Sequence, residues 1–259
     1  LKHSKWFESR YQKIRRTHVL KLIDYSSKDR NAYITILEVR YESRLPELYQ
    51  ICLSFSEKTK TETITDEYPQ SIICQAKIGG VEGYLYDGFF DPEIQLRLFN
   101  NIVNKKRLLT GNTTMRFIAN KKLSQYGHDA EDVKPRIMNM RRTNTSILYN
   151  NDYLLKIYRK LDKSVNPDLQ LTEFLDKVEF PYVPKYAGKI DLQNHEHAIV
   201  LGKIQEAEDY QNDARHYFLD FLQRYYETVQ MRSDDPEQFP LKGSFTKPIA
   251  FEEMEDEHM

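Results

Sequence analysis

Apolar and polar positions follow two periods along this chain. Val19-Leu20-Lys21-Leu22-Ile23 within Thr17 to Tyr25, then Ala32 to Tyr41 and Leu48 to Phe55, are short and rich in β-branched and aromatic residues, which predicts strands. Along Leu48 to Phe55, Tyr49, Ile51, Leu53 and Phe55 fall on one face and Gln50, Cys52 and Ser54 on the other. The polar run Ser56 to Gln70 predicts an exposed loop. Ser71 to Ile78 and Gly83 to Tyr86 form a strand pair turned at Gly79-Gly80. Asp91-Pro92-Glu93 then starts a helix carrying Ile94, Leu98, Ile102 and Val103, with Lys105-Lys106-Arg107 at its C-terminal end. An antiparallel meander followed by a helix predicts an α+β unit of about one hundred residues.

A second set of elements follows. Met115 to Ala119 predicts a short strand, and Gln125 to Asp132 a polar connection. The cations Lys121, Lys122, Lys134, Arg136, Arg141 and Arg142 read as a solvated face, with a phosphate or substrate patch as the alternative. Arg142 to Tyr158 reads as strand, turn, strand, because Asn150-Asn151-Asp152 tolerates left-handed backbone angles. On the second strand Tyr153, Leu155 and Ile157 share one face, and Leu154, Lys156 and Tyr158 the other. A lysine inside an apolar strand either reaches water from a sheet edge or meets an anion. Beyond the loop Arg159 to Val165, Asn166-Pro167-Asp168 supplies an N-cap, a first-position proline and a first-turn acid. Leu171, Phe174, Leu175 and Val178 give that helix one apolar stripe, ending before Pro181. Ile190 to Leu192 and His197 to Ile204 predict two strands around Gln193 to Glu196, and Asp213 to Met231 a helix on Phe218, Phe221, Leu222, Tyr225 and Val229.

Composition narrows the function classes. The 259 residues are 40% hydrophobic and 30% charged, with a formal charge of −1. Neither nucleic acid nor an anionic membrane surface is a natural partner for that balance. No stretch approaches the roughly eighteen apolar residues that span a bilayer. Cys52 and Cys74 are the only cysteines and read as reduced, strand-buried thiols, which implies a cytoplasmic protein. The 18 tyrosines and 13 phenylalanines fit the strand content. An opening at Leu1 rather than Met suggests a piece of a longer protein. His195 and His197 share a strand face but read as a polar hairpin rather than metal ligands, and His216 with Asp213 and Asp220 as a solvated helix face. A Walker-type loop and a paired-carboxylate signature do not occur.

Hairpin, lysine strand, helix and two strands follow the order of a protein-kinase-like N-terminal lobe, whose third-strand lysine contacts ATP phosphates and pairs with a helix glutamate. Asn144-Thr145-Ser146, Leu155 to Leu161, Asn166-Pro167-Asp168-Leu169, Phe174-Leu175 and Phe180-Pro181-Tyr182-Val183-Pro184 resemble bacterial maltokinase, with Trp6-Phe7 and Gln205-Glu206 as outlying landmarks. That enzyme is similar to aminoglycoside phosphotransferases and is often fused behind trehalose synthase. The resemblance implies an antiparallel-sheet cap over 1–134, a kinase-like N-lobe over 135–210, and an interlobe helix with an acidic tail over 211–259. It implies ATP with Mg2+, phosphorylation of maltose to maltose 1-phosphate, and a trehalose synthase partner. Lys156 would contact phosphate under a turn formed by Thr143, Asn144, Thr145 and Ser146, with Leu154 and Gln205 lining the ATP pocket. The family's lysine-positioning glutamate falls on Gln170, with Glu173 one turn away as its substitute. No His-Gly-Asp occurs, so the helical C-lobe, the catalytic residues and the metal ligands are expected to be absent and this chain inactive alone. The alternative is a non-catalytic docking or regulatory module attached to a trehalose synthase of the α-amylase family.

Overall fold

The computed structural model describes residues 4, 6–28, 30–58, 66–126, 133–138, 143–163, 165–194, 198–208 and 214–231. The acidic finish, the His195/His197 pair, Asp213, Arg141 and Arg142, and parts of the loops expected over 56–70 and 125–132 lie outside them. Two units form, Leu1–Glu208 and Asp209–Met259.

Five consecutive strands form the main path of the first sheet, which has six in all among the described residues: β1 (Ile14–Asp24), β2 (Asn31–Tyr41), β3 (Glu47–Glu57), β4 (Ile72–Ile78) and β5 (Val81–Asp87), in the order β1-β2-β3-β5-β4. Gly79 and Gly80 turn the β4–β5 hairpin at φ of 59° and 86°, angles that glycine adopts without strain. The chain then enters α1 (Pro92–Val103), whose N-cap Asp91 accepts from the Glu93 amide at 3.0 Å. Next come β6 (Arg107–Thr110), β7 (Thr113–Ala119), the single turn α2 (Lys121–Ser124), β8 (Pro135–Ile137), β9 (Asn144–Tyr149), β10 (Tyr153–Tyr158) and β11 (Lys160–Leu161). Helix α3 (Pro167–Lys177), β12 (Tyr186–Gln193) and β13 (Ala198–Glu206) complete the first unit. The second sheet is antiparallel throughout, in the order β6-β7-β12-β13-β10-β9-β8. In the second unit α4 spans Ala214–Met231. The architecture is α+β, mostly antiparallel sheet with few helices. Among the described residues no helix is long and apolar enough to cross a membrane.

The boundary expected at 134/135 does not separate two bodies. β6 and β7 belong to the second sheet, and β11 pairs with Leu48 and Tyr49 of β3 in the first. One hydrophobic cluster runs from Ile23 through Leu98, Phe117 and Leu155 to Ile204. Helix α1 lies on the face of the second sheet that carries Tyr149 and Tyr153; Phe99 sits 4.5 Å from the Tyr149 ring, and the Tyr149 hydroxyl donates to the Gln95 carbonyl at 2.9 Å. Neither part could bury its apolar face without the other.

Strand β3 departs from its expected polar face. Gln50, Cys52 and Ser54 are buried, because that face meets the second sheet. The Gln50 amide donates to the carbonyls of Tyr158, at 2.6 Å, and Leu201, while its backbone N–H donates to the Arg159 carbonyl at 2.8 Å. Cys74, expected to be buried, is exposed because β4 is an edge strand; both thiols are free.

Two ionic centres are buried in the first unit, and the first of them, at Arg159, ties the sheets together. Arg159 has 0% of its surface exposed. Its guanidinium pairs with Asp87 at 2.7 Å, donates from Nε to Thr145 Oγ1 at 2.8 Å, and lies 4.9 Å from the Trp6 ring and 4.7 Å from the Phe89 ring. Glu47 accepts from Ser9, Tyr41, Tyr49 and Lys160 at 2.6–2.7 Å, and Arg44 lies 3.0 Å away. Burial pushes its carboxyl up, but those donors outweigh burial and hold it at about 2, against an ordinary 4.5.

Replacing Arg159 by Met strands the Asp87 carboxylate; urea unfolding should show a loss of about 3–5 kcal/mol, partly recovered when Asp87→Asn is added. The Glu47 carboxyl is lowered by folding, so its contribution is complete above its unfolded value and is lost as pH falls from 4.5 toward 2. The denaturant midpoint of the wild type should fall as pH drops across that window, whereas Glu47→Gln should lose about 2 kcal/mol at neutral pH and respond less to acid.

Candidate functional site

Strand β10 is central, paired with β9 on one side and β13 on the other. Lys156 is therefore not an edge lysine. The hairpin reverses over the three residues Asn150-Asn151-Asp152 between the paired Tyr149 and Tyr153, with Asn150 and Asn151 both left-handed at φ of 51° and 63°, angles that asparagine tolerates. With that register, Tyr153, Leu155 and Ile157 face the core shared with α1, and Leu154, Lys156 and Tyr158 face the opposite side.

Register places residues in rows across that side. Ser146 of β9, Lys156 of β10, Lys203 of β13 and Lys189 of β12 form one row. Leu148, Leu154, Gln205 and Tyr186 form the next. Three ammoniums in one row would repel, and α3 supplies the counter-charge. The Asn166 side chain accepts from the Leu169 amide at 3.0 Å, which fixes the helix start and sets Asp168 in the first turn. Asp168 then accepts from Lys156 Nζ at 2.7 Å, Tyr158 OH at 2.8 Å and Lys203 Nζ at 2.8 Å. Lys203 Nζ also donates to Thr172 Oγ1 at 2.7 Å, and Lys189 Nζ to Glu173 at 2.9 Å.

Burial raises the Asp168 carboxyl, but hydrogen bonds from Lys156, Lys203 and Tyr158 prevail and hold it well below the usual carboxylate range. Burial and the bond to Asp168 push the Tyr158 hydroxyl far up, so it stays a donor. Burial pushes Lys203 down, opposed by Asp168 and reinforced by the charge on Lys156. The result is a half-exposed ammonium, Lys156, over a buried one, Lys203, with one carboxylate between them.

Several expected site residues fall elsewhere. Asn144, Thr145 and Ser146 are not a turn: all three pair with β10. Asn144 and Ser146 share the Lys156 side, whereas Thr145 points to the core and accepts from Arg159. Thr143 is exposed and precedes the strand, in the 138–143 link from β8 to β9, of which 139–142 lie outside the described residues. Leu154 and Gln205 are directly cross-strand neighbours on the lysine side. Gln170 is exposed and points away from Lys156, and Glu173 belongs to Lys189. The helix acid that holds Lys156 is Asp168, two residues earlier than the family pattern places it.

The apolar stripe of α3 also points away from the sheet: Leu171, Phe174 and Val178 are more than half exposed. The covered side carries Asp168, Thr172, Glu173 and Asp176, the last accepting from the Tyr186 amide at 3.3 Å. Lys203 is the residue missed by the sequence reading, although its signal, a lysine inside the apolar run Ile199 to Ile204, equals that of Lys156. Lys122 pairs with Glu206 at 2.5 Å, and Arg136, opposite Leu148 in the β8–β9 register, reaches the Asn151 side chain at 3.5 Å. Among the described residues no group of three or more His, Cys, Asp or Glu side chains could hold a metal ion.

Residues 1–91 match the family model of the maltokinase N-terminal cap domain, so the N-terminal region is maltokinase-like. Solved structures similar to the chain include a glucosamine kinase in complex with glucosamine, ADP and inorganic phosphate, at 11% identity and a TM-score of 0.45, covering 79% of this chain and 38% of that one. A second glucosamine kinase structure, crystal form A, aligns at 12% identity and a TM-score of 0.42 over 74% of this chain and 35% of that one. The chain thus spans well under half the length of the kinases it aligns with.

Asp168→Asn removes the carboxylate shared by Lys156 and Lys203 and should destabilise the first unit by on the order of 2 kcal/mol. Gln170→Ala, at an exposed helix position, should stay within about 0.5 kcal/mol of wild type by the same thermal or urea unfolding measurement.

Proposed function

We propose that this chain is the cap and N-terminal lobe of a cytoplasmic, maltokinase-like sugar kinase. The full-length protein would transfer phosphate from ATP to maltose, giving maltose 1-phosphate, with a trehalose synthase domain or subunit as its partner. One observation carries the reading: a lysine on the central strand of an antiparallel sheet is held by a helix carboxylate, Lys156 to Asp168 at 2.7 Å, the pairing that kinase lobes use to present an ammonium to nucleotide phosphates. The maltokinase cap match over residues 1–91 supports the sugar-kinase class.

The residues present fit a nucleotide's phosphates. Lys156, Lys203 and Asp168 sum to one positive charge on an otherwise nearly neutral chain. Ser146 stands beside Lys156 in the same row, a hydroxyl able to donate to phosphate oxygen. Leu154 and Leu148 in the adjoining row offer apolar area to a base, with Gln205 next to them. ATP would supply the transferable phosphoryl group. What this chain does is hold and orient: Lys156 offers charge, and Asp168 with Tyr158 fixes the direction of its side chain. Mg2+ ligands and the acceptor-activating base would belong to a His-Gly-Asp lobe, a sequence that the 259 residues do not contain, so binding without turnover is expected from this chain alone. Asp168 supplies the helix acid that the Gln170 position lacks, which favours this reading over a non-catalytic docking module.

Isothermal titration of the chain with ATP should give saturable binding that Lys156→Ala weakens at least about tenfold, with an unchanged unfolding midpoint. In the full-length protein the same substitution should abolish maltose phosphorylation. Binding that is absent, or unaltered in Lys156→Ala, refutes the assignment.

A further inference from the structure

Lys203 lies directly opposite Lys156 in the β10–β13 register. The strands are close there: a Cβ on the adjacent Gly202 would come within 2.8 Å of the Lys156 carbonyl oxygen. Two ammoniums so placed separate unless an anion lies between them, and Asp168 occupies that position with one oxygen toward each, at 2.7 Å and 2.8 Å. Lys203 is only 4% exposed and is further oriented by Thr172 Oγ1, whose own proton goes to the Asp168 carbonyl at 2.7 Å. A ligand arriving on this side meets Lys156, not Lys203.

The consequence is electrostatic. A lysine paired with its own carboxylate is close to neutral at the distance of an approaching phosphate, and offers a nucleoside and a nucleoside diphosphate much the same reception. A carboxylate divided between two ammoniums leaves the trio with a charge of +1, presented at the one member that faces outward. Burial of Lys203 keeps that charge away from screening solvent.

We propose that Lys203 is a positioning residue which, by sharing Asp168, leaves Lys156 a net charge and makes this side of the sheet select nucleoside polyphosphates over nucleosides. The inference rests on the nucleotide site proposed above. It goes beyond that reading by placing the selectivity in a residue that touches no ligand.

The test is titration of the full 259-residue chain with ADP and with adenosine, at low and high salt, for wild type, Lys203→Met and Lys203→Arg. In Lys203→Met the ratio of ADP to adenosine affinity should fall roughly tenfold and the salt dependence of ADP binding should flatten; Lys203→Arg should restore both. Lys203→Gln, which keeps hydrogen bonds to Asp168 and Thr172 while removing the charge, replaces Lys203→Met if that variant does not fold, with the same expectation. An unchanged ratio overturns the inference, and so does an equal loss for both ligands, the mark of a merely structural role. If wild-type binding is absent or insensitive to Lys156→Ala, the nucleotide reading falls first and this one with it, an outcome separate from wild-type binding with an unchanged ratio in the Lys203 variants.

Discussion

A guanidinium without access to water sits where the two sheets of the first unit meet. Taking such a charge out of solvent is costly by several kcal/mol unless anion, hydrogen bonds and polarisable surface replace the water. Arg159 has all three: Asp87 from the end of β5, Thr145 from β9, and the rings of Trp6 and Phe89. Those groups come from three separate stretches of sequence. Each stretch is held where it is in part because Arg159 would otherwise be an unpaired buried ion, so the N-terminal Trp-Phe segment, the first sheet and the hairpin carrying Lys156 behave as one body.

That constraint has a functional reach. Arg159 is three residues beyond Lys156, at the exit of β10, and Gln50 from β3 anchors the carbonyls of Tyr158 and Leu201 on β10 and β13. The first sheet and α1 thus fix one face of the lysine-bearing sheet by packing and hydrogen bonds. The opposite face is left to charge: Asp168 and Glu173 of α3 against Lys156, Lys203 and Lys189. The first sheet and α1 share one hydrophobic core with the sheet that carries Lys156, so the lysine strand is packed from its other face by residues far away in sequence.

Much of this was legible in the residues themselves. The Asn150-Asn151 turn, the two faces of β10 and the Asp91-Pro92 and Asn166-Pro167 helix starts all follow from local stereochemistry and period. The partner of Lys156 was not. Spacing against a family pattern pointed to Gln170, yet the first helical turn, where Asp168 sits, is the part that reaches the sheet. The apolar stripe of α3 misled in the same way: periodicity reports that a helix has two faces, not which of them lies against its neighbour. Here the neighbour is a row of lysines, so the acidic and hydroxyl side chains turn inward.

By itself, then, the order of residues determined the longer strands and helices, the two helix starts, and the sidedness of the strand that carries Lys156, because these depend on interactions within a few residues. Tertiary structure alone decided that Gln50 and Ser54 are interior, that β6 and β7 extend the lobe sheet, that Arg159 is buried, and that Asp168 rather than Gln170 meets Lys156. Each depends on what a distant segment places against a face, and no local pattern encodes the charge or shape of a surface more than a hundred residues away, as Gln50 and Tyr158 illustrate at a separation of 108.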